Sequence, residues 1–459
     1  MMIIIWAWVM ILVFLVLTMR KVLHPFTAIV LVPIAFTIGG AFLGLFRDGA
    51  ASTLGVRPDE ASLFAQIQVI GQWSLDGLAQ ISSTVFMMLF AILFFSLMLD
   101  IGLFDPVSNM VIRAAKGDPF RVIVGTGVLT FVVSLSGDGT TTTLICCAAL
   151  VPIYKKLKLR LLYLAVILVL MNTILNILPW SSPAARVLSV LEGIDPQEML
   201  YAIAPGMTVA TVWVFLVCCY LGMKERRRLG IQTLSEHDIA EMTLSRPEGK
   251  DRIGRGRMTF SAILTIVVLV VLIAGVFEPA FTFLIGSVIT LVVNYPRIAQ
   301  MKAVVSEAAP DMILTCIVVM GAGVFAGVFG GSGMSAALAT SLTEVVPDSF
   351  GPHWALITAL VSAPGGFFLS NDAFFFGVLP VLATAGAEYG FSPLDMGVAS
   401  LMGQAFHLFS PFTPWIYLLL EKTEQPIGDW QKEGLKWATG IFAAFIALTA
   451  AVGALPLGL

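Results

Sequence analysis

A polar run, Ser134-Leu135-Ser136-Gly137-Asp138-Gly139-Thr140-Thr141-Thr142-Thr143, interrupts a stretch of chain that is otherwise apolar from 120 to 153. Its flanking arms, 120–133 and 144–153, are 10 to 14 residues long. A helix needs about 20 apolar residues to cross a bilayer. Two short helices meeting at a glycine-rich polar tip therefore predict a re-entrant hairpin, since irregular backbone survives at that depth only inside protein or beside a wet cavity. A carboxylate there costs about 2.5–3.5 kcal/mol on insertion scales. Asp138 thus needs a partner, and the cheapest are a proton, a cation or a bound solute. The same figure recurs at Leu369-Ser370-Asn371-Asp372-Ala373, between the arms 354–368 and 374–387. Two such tips in one chain point to a duplicated site.

Composition agrees with a membrane setting. Of 459 residues, 58% are hydrophobic and 12% charged, against about 25% charged in a soluble domain. The net charge of −3 implies no partner, and no basic block is large enough for nucleic acid. Cys146, Cys147, Cys218, Cys219 and Cys316 all sit in apolar runs, with neither a disulfide framework nor a zinc-ligand spacing. The opening Met1-Met2-Ile3-Ile4-Ile5-Trp6 has no basic region ahead of it, so it reads as the first span and not as a removable signal.

Hydropathy places spans near 3–19, 25–46 and 79–99, then the hairpin 120–153. A helix 161–192 follows, broken at Leu178-Pro179-Trp180-Ser181-Ser182-Pro183, and a span near 200–222 closes the half. After a polar segment, spans near 259–276, 279–294 and 311–330 precede the hairpin 354–387. A helix 394–420 broken at Ser410-Pro411-Phe412-Thr413-Pro414 and a final span near 434–456 complete the chain. Lysine and arginine concentrate in alternate loops, and by the positive-inside rule the first hairpin opens to the cytoplasm, the second opens outside, and both termini lie outside. The expected fold is an all-α polytopic membrane protein with an inverted repeat, each half holding five transmembrane helices and one hairpin. Residues 1–223 are the first repeat, 224–258 a cytoplasmic linker and 259–459 the second repeat. Each aspartate precedes its proline break by about 40 residues. Prolines free carbonyls that can coordinate cations, so tips and breaks can converge on one central site.

At Gly137-Asp138-Gly139-Thr140-Thr141-Thr142, Asn176-Ile177-Leu178-Pro179-Trp180 and Ser370-Asn371-Asp372-Ala373-Phe374 the chain resembles the CitMHS family of citrate–metal:proton symporters. The resemblance extends through Gly403-Gln404, His407-Leu408 and Ser410-Pro411, nearly the whole length. It implies the ion-transporter superfamily, its elevator motion, a homodimer, and kinship with sodium-coupled dicarboxylate transporters. In those relatives Ser-Asn-Thr hairpin tips bind sodium and substrate. By that analogy Ser136-Gly137-Asp138 and Ser370-Asn371-Asp372 occupy the tips. Both carry an aspartate in or beside the motif, which leaves the coupling ion open between proton and sodium. Ser181-Ser182 stands where the family often has Gly-Gly, adding hydroxyls that bear on which solute fits.

The implied cargo is citrate, or a related tricarboxylate, chelated to a divalent cation such as Mg²⁺ or Ca²⁺, which travels with it and is no permanently bound cofactor. Both cations take oxygen ligands. The expected substrate residues are Ser136, Gly137, Asp138, Gly139, Thr140 and Thr141 of the first tip, with Asn176, Pro179, Ser181, Ser182 and Arg186 around the first break. The second tip gives Ser370, Asn371 and Asp372, and the second break Ser410 and Thr413. Asp138 and Asp372 are the metal ligands. Asp138, Asp372 and His407 are the three candidates for the proton, His407 because imidazole titrates near neutrality when unperturbed. Arg186 either clamps a carboxylate bidentately or snorkels toward the outer face. The leading function is proton-coupled import of metal–citrate across the cell membrane. A sodium-coupled di- or tricarboxylate symporter is the alternative. An intramembrane hydrolase using Asp138 and Asp372 as a proton-sharing pair is a third reading, and the chain is expected not to be an enzyme.

Overall fold

A computed structural model describes residues 1–232, 254–345 and 348–458, and every regular element among them is helical. Seven helices are long and apolar enough to cross a membrane: Met2–Met19, Pro25–Phe42, Ser82–Asp100, Pro196–Leu229, Gly256–Ala274, Ile298–Gly331 and Ile427–Ala451. The chain is a multi-pass membrane protein.

At each expected hairpin position two helices meet at a polar turn. Asp118 starts the first, its carboxylate accepting the Phe120 N–H at 3.0 Å, with Pro119 at the first helical position, where a missing N–H costs nothing. The arm Pro119–Ser134 ends in a turn through Gly137, whose φ of +75° suits glycine. The return arm is Gly139–Lys156. In the second hairpin Trp354–Phe368 leads down and Leu369 is extended. The return resumes as Asn371–Ala373, one π-helical turn over Phe374–Val378, then Leu379–Glu388. Single π turns inside helices recur at functional places.

Helices are interrupted at both proline pairs. Leu161–Leu175 and Ser182–Val190 flank the first break. Pro393–Leu401, the short Gln404–His407 and Pro414–Thr423 make up the second. From Tyr163 onward Leu161–Leu175 is buried on every side, as expected of a helix apolar all round. Hairpins, broken helices, Pro196–Leu229 and Ile427–Ala451 pack against one another, while Pro25–Phe42, Leu63–Gln80, Ser82–Asp100, Pro279–Asn294 and Ile298–Gly331 form a second group.

Among the described residues, the long helices ahead of the two hairpins number four and three. Four long helices precede the first, because Leu63–Gln80 is a full helix of 18 residues. Its Gln66, Gln68, Gln72, Asp76 and Gln80 lower its hydropathy below that of a span. What holds it is backbone contact: a Cβ on Gly77 would lie 2.0 Å from the Gly323 carbonyl oxygen, and one on Gly327 2.0 Å from that of Trp73. Glycines at such spacing let two helices meet along their main chains. Spans expected at 200–222 and 311–330 are each part of a 34-residue helix. Charged side chains end the apolar run there without ending the helix. Within the expected linker 224–258, residues up to Leu229 belong to the preceding helix, and 233–253 lie outside the described residues.

Candidate functional site

Both tips and both breaks meet at one cavity of about 670 Å³, within the range of sites that enclose a small ligand. Of the expected residues, Gly137, Asp138, Gly139, Asn176, Ser182, Arg186, Ser370, Asn371, Asp372, His407 and Thr413 line it.

Asp138 caps the helix Gly139–Lys156. Its Oδ2 accepts the Thr141 N–H at 2.7 Å and its Oδ1 the Thr140 N–H at 3.3 Å. These donors meet part of the need for a proton, cation or solute, because a helix N-terminus offers unpaired N–H groups and positive dipole. The remaining lone pairs of this exposed carboxylate stay open to the cavity. Gly137 lies against the first break, where a Cβ would come 3.0 Å from that of Ser181. Gly139 lies beneath the second break, where a Cβ would fall 2.3 Å from the Trp415 ring. Only glycine permits that approach.

Asp372 has a different partner. Arg186 donates Nε–H and Nη2–H to its Oδ1 at 2.8 and 2.7 Å, across 186 residues of sequence. The guanidinium also donates to the Ser182 carbonyl at 3.0 Å and to the Ser182 hydroxyl, and stands 5.8 Å from the Phe376 ring centroid. Arg186 is therefore committed to an ion pair in the cavity wall. The side chains of the pair are 15% and 17% exposed, enough for a solute to reach. The two aspartates thus have different partners, Arg186 for Asp372 and the Thr140 and Thr141 N–H groups for Asp138.

Several expected ligands serve the backbone. The buried Ser181 hydroxyl donates to the Asn176 and Leu178 carbonyls, which the first break frees. Ser136 donates to the Val133 carbonyl, and Ser410 accepts the Phe412 N–H at 3.1 Å. Pro179 is buried, Thr140 is exposed, and Thr141 faces a second, acidic cavity with Asp100, Glu307 and Asp311. Hydroxyls at a broken helix have freed carbonyls to satisfy before they can serve a ligand. His407 is buried, and its Nδ1–H donates to the Gly366 carbonyl at 2.6 Å. That bond pins the second break to the second hairpin.

Further residues stand behind and around the cavity. Gln404 donates to the Asn371 Oδ1 at 2.9 Å. Phe412 and Trp415 line it from the second break, and Thr18, Lys21, Leu23, His24 and Pro25 from the loop between the first two helices. Aromatics beside a Pro-x-x-Pro break were a readable signal. Lys21 was not: beside Arg20 it counted only as a topology charge.

The family model described as citrate transporter, CitMHS, matches residues 1–403. The chain is 37% identical over 434 residues to a protein of Bacillus subtilis (strain 168) named citrate transporter, spanning 95% of each. It is 32% identical over 450 residues to that organism's Mg(2+)/citrate complex secondary transporter, spanning 98% of each. Among solved structures, the YdaH transporter of Alcanivorax borkumensis superposes with a TM-score of 0.58 over 87% of this chain and 91% of that one, at 14% identity.

Proposed function

The chain belongs to the CitMHS citrate transporter family, and from that premise we propose that it imports citrate as a complex with a divalent cation, coupled to protons. The observation that carries the reading is the Arg186–Asp372 pair in a cavity that Asp138 also lines. Within the pair each charge neutralises the other. Separating a buried pair without compensation costs about 3–5 kcal/mol, less for a pair this accessible. A bare metal ion would leave Arg186 unpaired, and bare citrate would leave Asp372 unpaired. The chelate answers both at once: its cation takes over Asp372 while one of its carboxylates takes over Arg186. Mg²⁺ wants roughly six oxygens, so Asp138 and Asp372 suffice only as additions to the oxygens that citrate brings. The other cavity residues expected from the sequence orient this exchange.

Asp138, exposed and with lone pairs to spare, is the proposed seat of the coupled proton when no metal is bound; Asp372 and His407 are the other two candidates. The elevator motion is proposed for the group holding hairpins and broken helices, with Leu63–Gln80 and Ile298–Gly331 in the static group. The inverted repeat draws support from element order. Helices Asp105–Ala115 and Met334–Val345 each stand just before a hairpin, and each hairpin is followed by a broken helix and a long closing helix. Met2–Met19 stands outside this correspondence. Counting Leu63–Gln80 as a crossing moves the N-terminus to the cytoplasmic face in this proposal, with the C-terminus outside. The assembly proposed is a homodimer in the cell membrane.

The test is uptake of labelled citrate into proteoliposomes. Mg²⁺ or Ca²⁺ is expected to stimulate it severalfold, and a protonophore to abolish accumulation. Asp138→Asn is expected to retain metal-stimulated exchange but lose accumulation driven by a pH gradient. Uptake that ignores divalent metal and follows a sodium gradient would overturn the proposal.

A further inference from the structure

We propose that the loop between the first two helices is part of the cargo site, with Lys21 and the N-terminus of Pro25–Phe42 binding the carboxylate that the metal leaves free. This rests on the metal–citrate reading above and names a further determinant of its selectivity. Lys21, His24 and Pro25 line the same cavity as Asp138, Arg186 and Asp372. Lys21 is exposed there and makes no ion pair among the described residues. Arg186, by contrast, is already committed to Asp372.

The loop is held in place. The Lys21 N–H donates to the Thr18 carbonyl and that of Val22 to Leu17, both at 3.1 Å. The helix before it is seated on the second hairpin, where a Cβ on Gly377 would meet the Leu15 Cδ2 at 2.7 Å. Lys21 is thus fixed beside the hairpin that carries Asp372. Pro25, the first residue of an 18-residue helix, lines the same cavity, so the positive end of that helix dipole lies on the same side.

Charge explains the need. Asp138 and Asp372 balance Arg186 and Lys21. Citrate chelates a divalent ion through its hydroxyl and two of its carboxylates, so the third carboxylate and one net negative charge remain. An ammonium is a compact point charge with three rotatable donors, suited to a carboxylate whose orientation the chelate sets. A dicarboxylate that commits both its groups to the metal has nothing to offer Lys21. The loop thereby favours tricarboxylates.

The experiment is citrate uptake with Mg²⁺ in proteoliposomes containing Lys21→Cys. KM is expected to rise about tenfold, as for loss of one hydrogen bond to a charged group, with the maximal rate within twofold. Treatment with 2-aminoethyl methanethiosulfonate, which rebuilds an ammonium at that position, should return KM toward the wild-type value. Neutral methyl methanethiosulfonate should not. Four of the five native cysteines are buried, and wild-type vesicles treated in parallel supply the background. Lys21→Arg should stay within threefold of wild type. An unchanged KM for Lys21→Cys, or equal restoration by both reagents, would overturn the proposal while leaving metal–citrate transport standing. Wild-type vesicles that take up no citrate with any cation would overturn both.

Discussion

Replacing Asp372 with asparagine is expected to lower metal–citrate uptake about 100-fold and to erase metal dependence from whatever uptake remains. Arg186 holds this carboxylate through two donors, so Asp372→Asn strips a partly buried guanidinium of its counter-charge and replaces a charged ligand of the cargo's cation with a neutral amide. Losing one side of such a pair costs about 3 kcal/mol, which corresponds to about 100-fold. The free guanidinium can still attract a citrate carboxylate, and that weak binding has no use for a metal. Arg186→Gln is the mirror case: Asp372 is left alone and the carboxylate clamp is gone. Both effects are read from initial uptake rates across a Mg²⁺ titration. A variant as sensitive to Mg²⁺ as the wild type would remove Asp372 from the site. Joining the two substitutions should disturb folding less than either alone, since neither charge is then left unpaired.

Gly403→Ala is expected to destabilise the fold by about 3 kcal/mol, at the upper end for overpacking. A Cβ there would lie 2.0 Å from the Ser362 carbonyl oxygen and 2.2 Å from its carbon. Both are main-chain atoms in the descending arm of the second hairpin, and they cannot rotate aside. The same arm receives the His407 bond at Gly366, so pushing it away also opens the second break. Thermal unfolding in detergent should show a midpoint lower by several degrees. Gly428→Ala, which would meet nothing within 4 Å in the first turn of Ile427–Ala451, should be neutral or slightly stabilising. Equal stability of the two variants would refute this account of Gly403.

Much of the architecture could be read from residues because the membrane leaves few options. Polar tips around Asp138 and Asp372 inside apolar runs predict turns, and paired prolines predict breaks. Leu63–Gln80 escaped because hydropathy measures affinity for lipid, and this helix is held by glycine contact with Ile298–Gly331. At the site, residue types identified both tips but not how each polar group is used. Ser181, Ser136 and Ser410 are polar because the backbone beside them is irregular, and sequence cannot separate that need from ligand binding. Nor could it join Arg186 to Asp372, since only the folded chain spans the 186 intervening residues. Lys21 was hidden because a cation near a helix end has an ordinary explanation in membrane proteins.

The tips are clasped crosswise. Asp372, on the second-half hairpin, is gripped by Arg186 from the first-half break, while Gly139, on the first-half hairpin, lies beneath Trp415 from the second-half break. Neither half of the polypeptide encloses a finished binding chamber, so a fragment ending before the second hairpin would be inert and not merely slower. Two co-expressed fragments divided between Leu229 and Arg255 would regain transport only by complementation, each lending the other its missing wall.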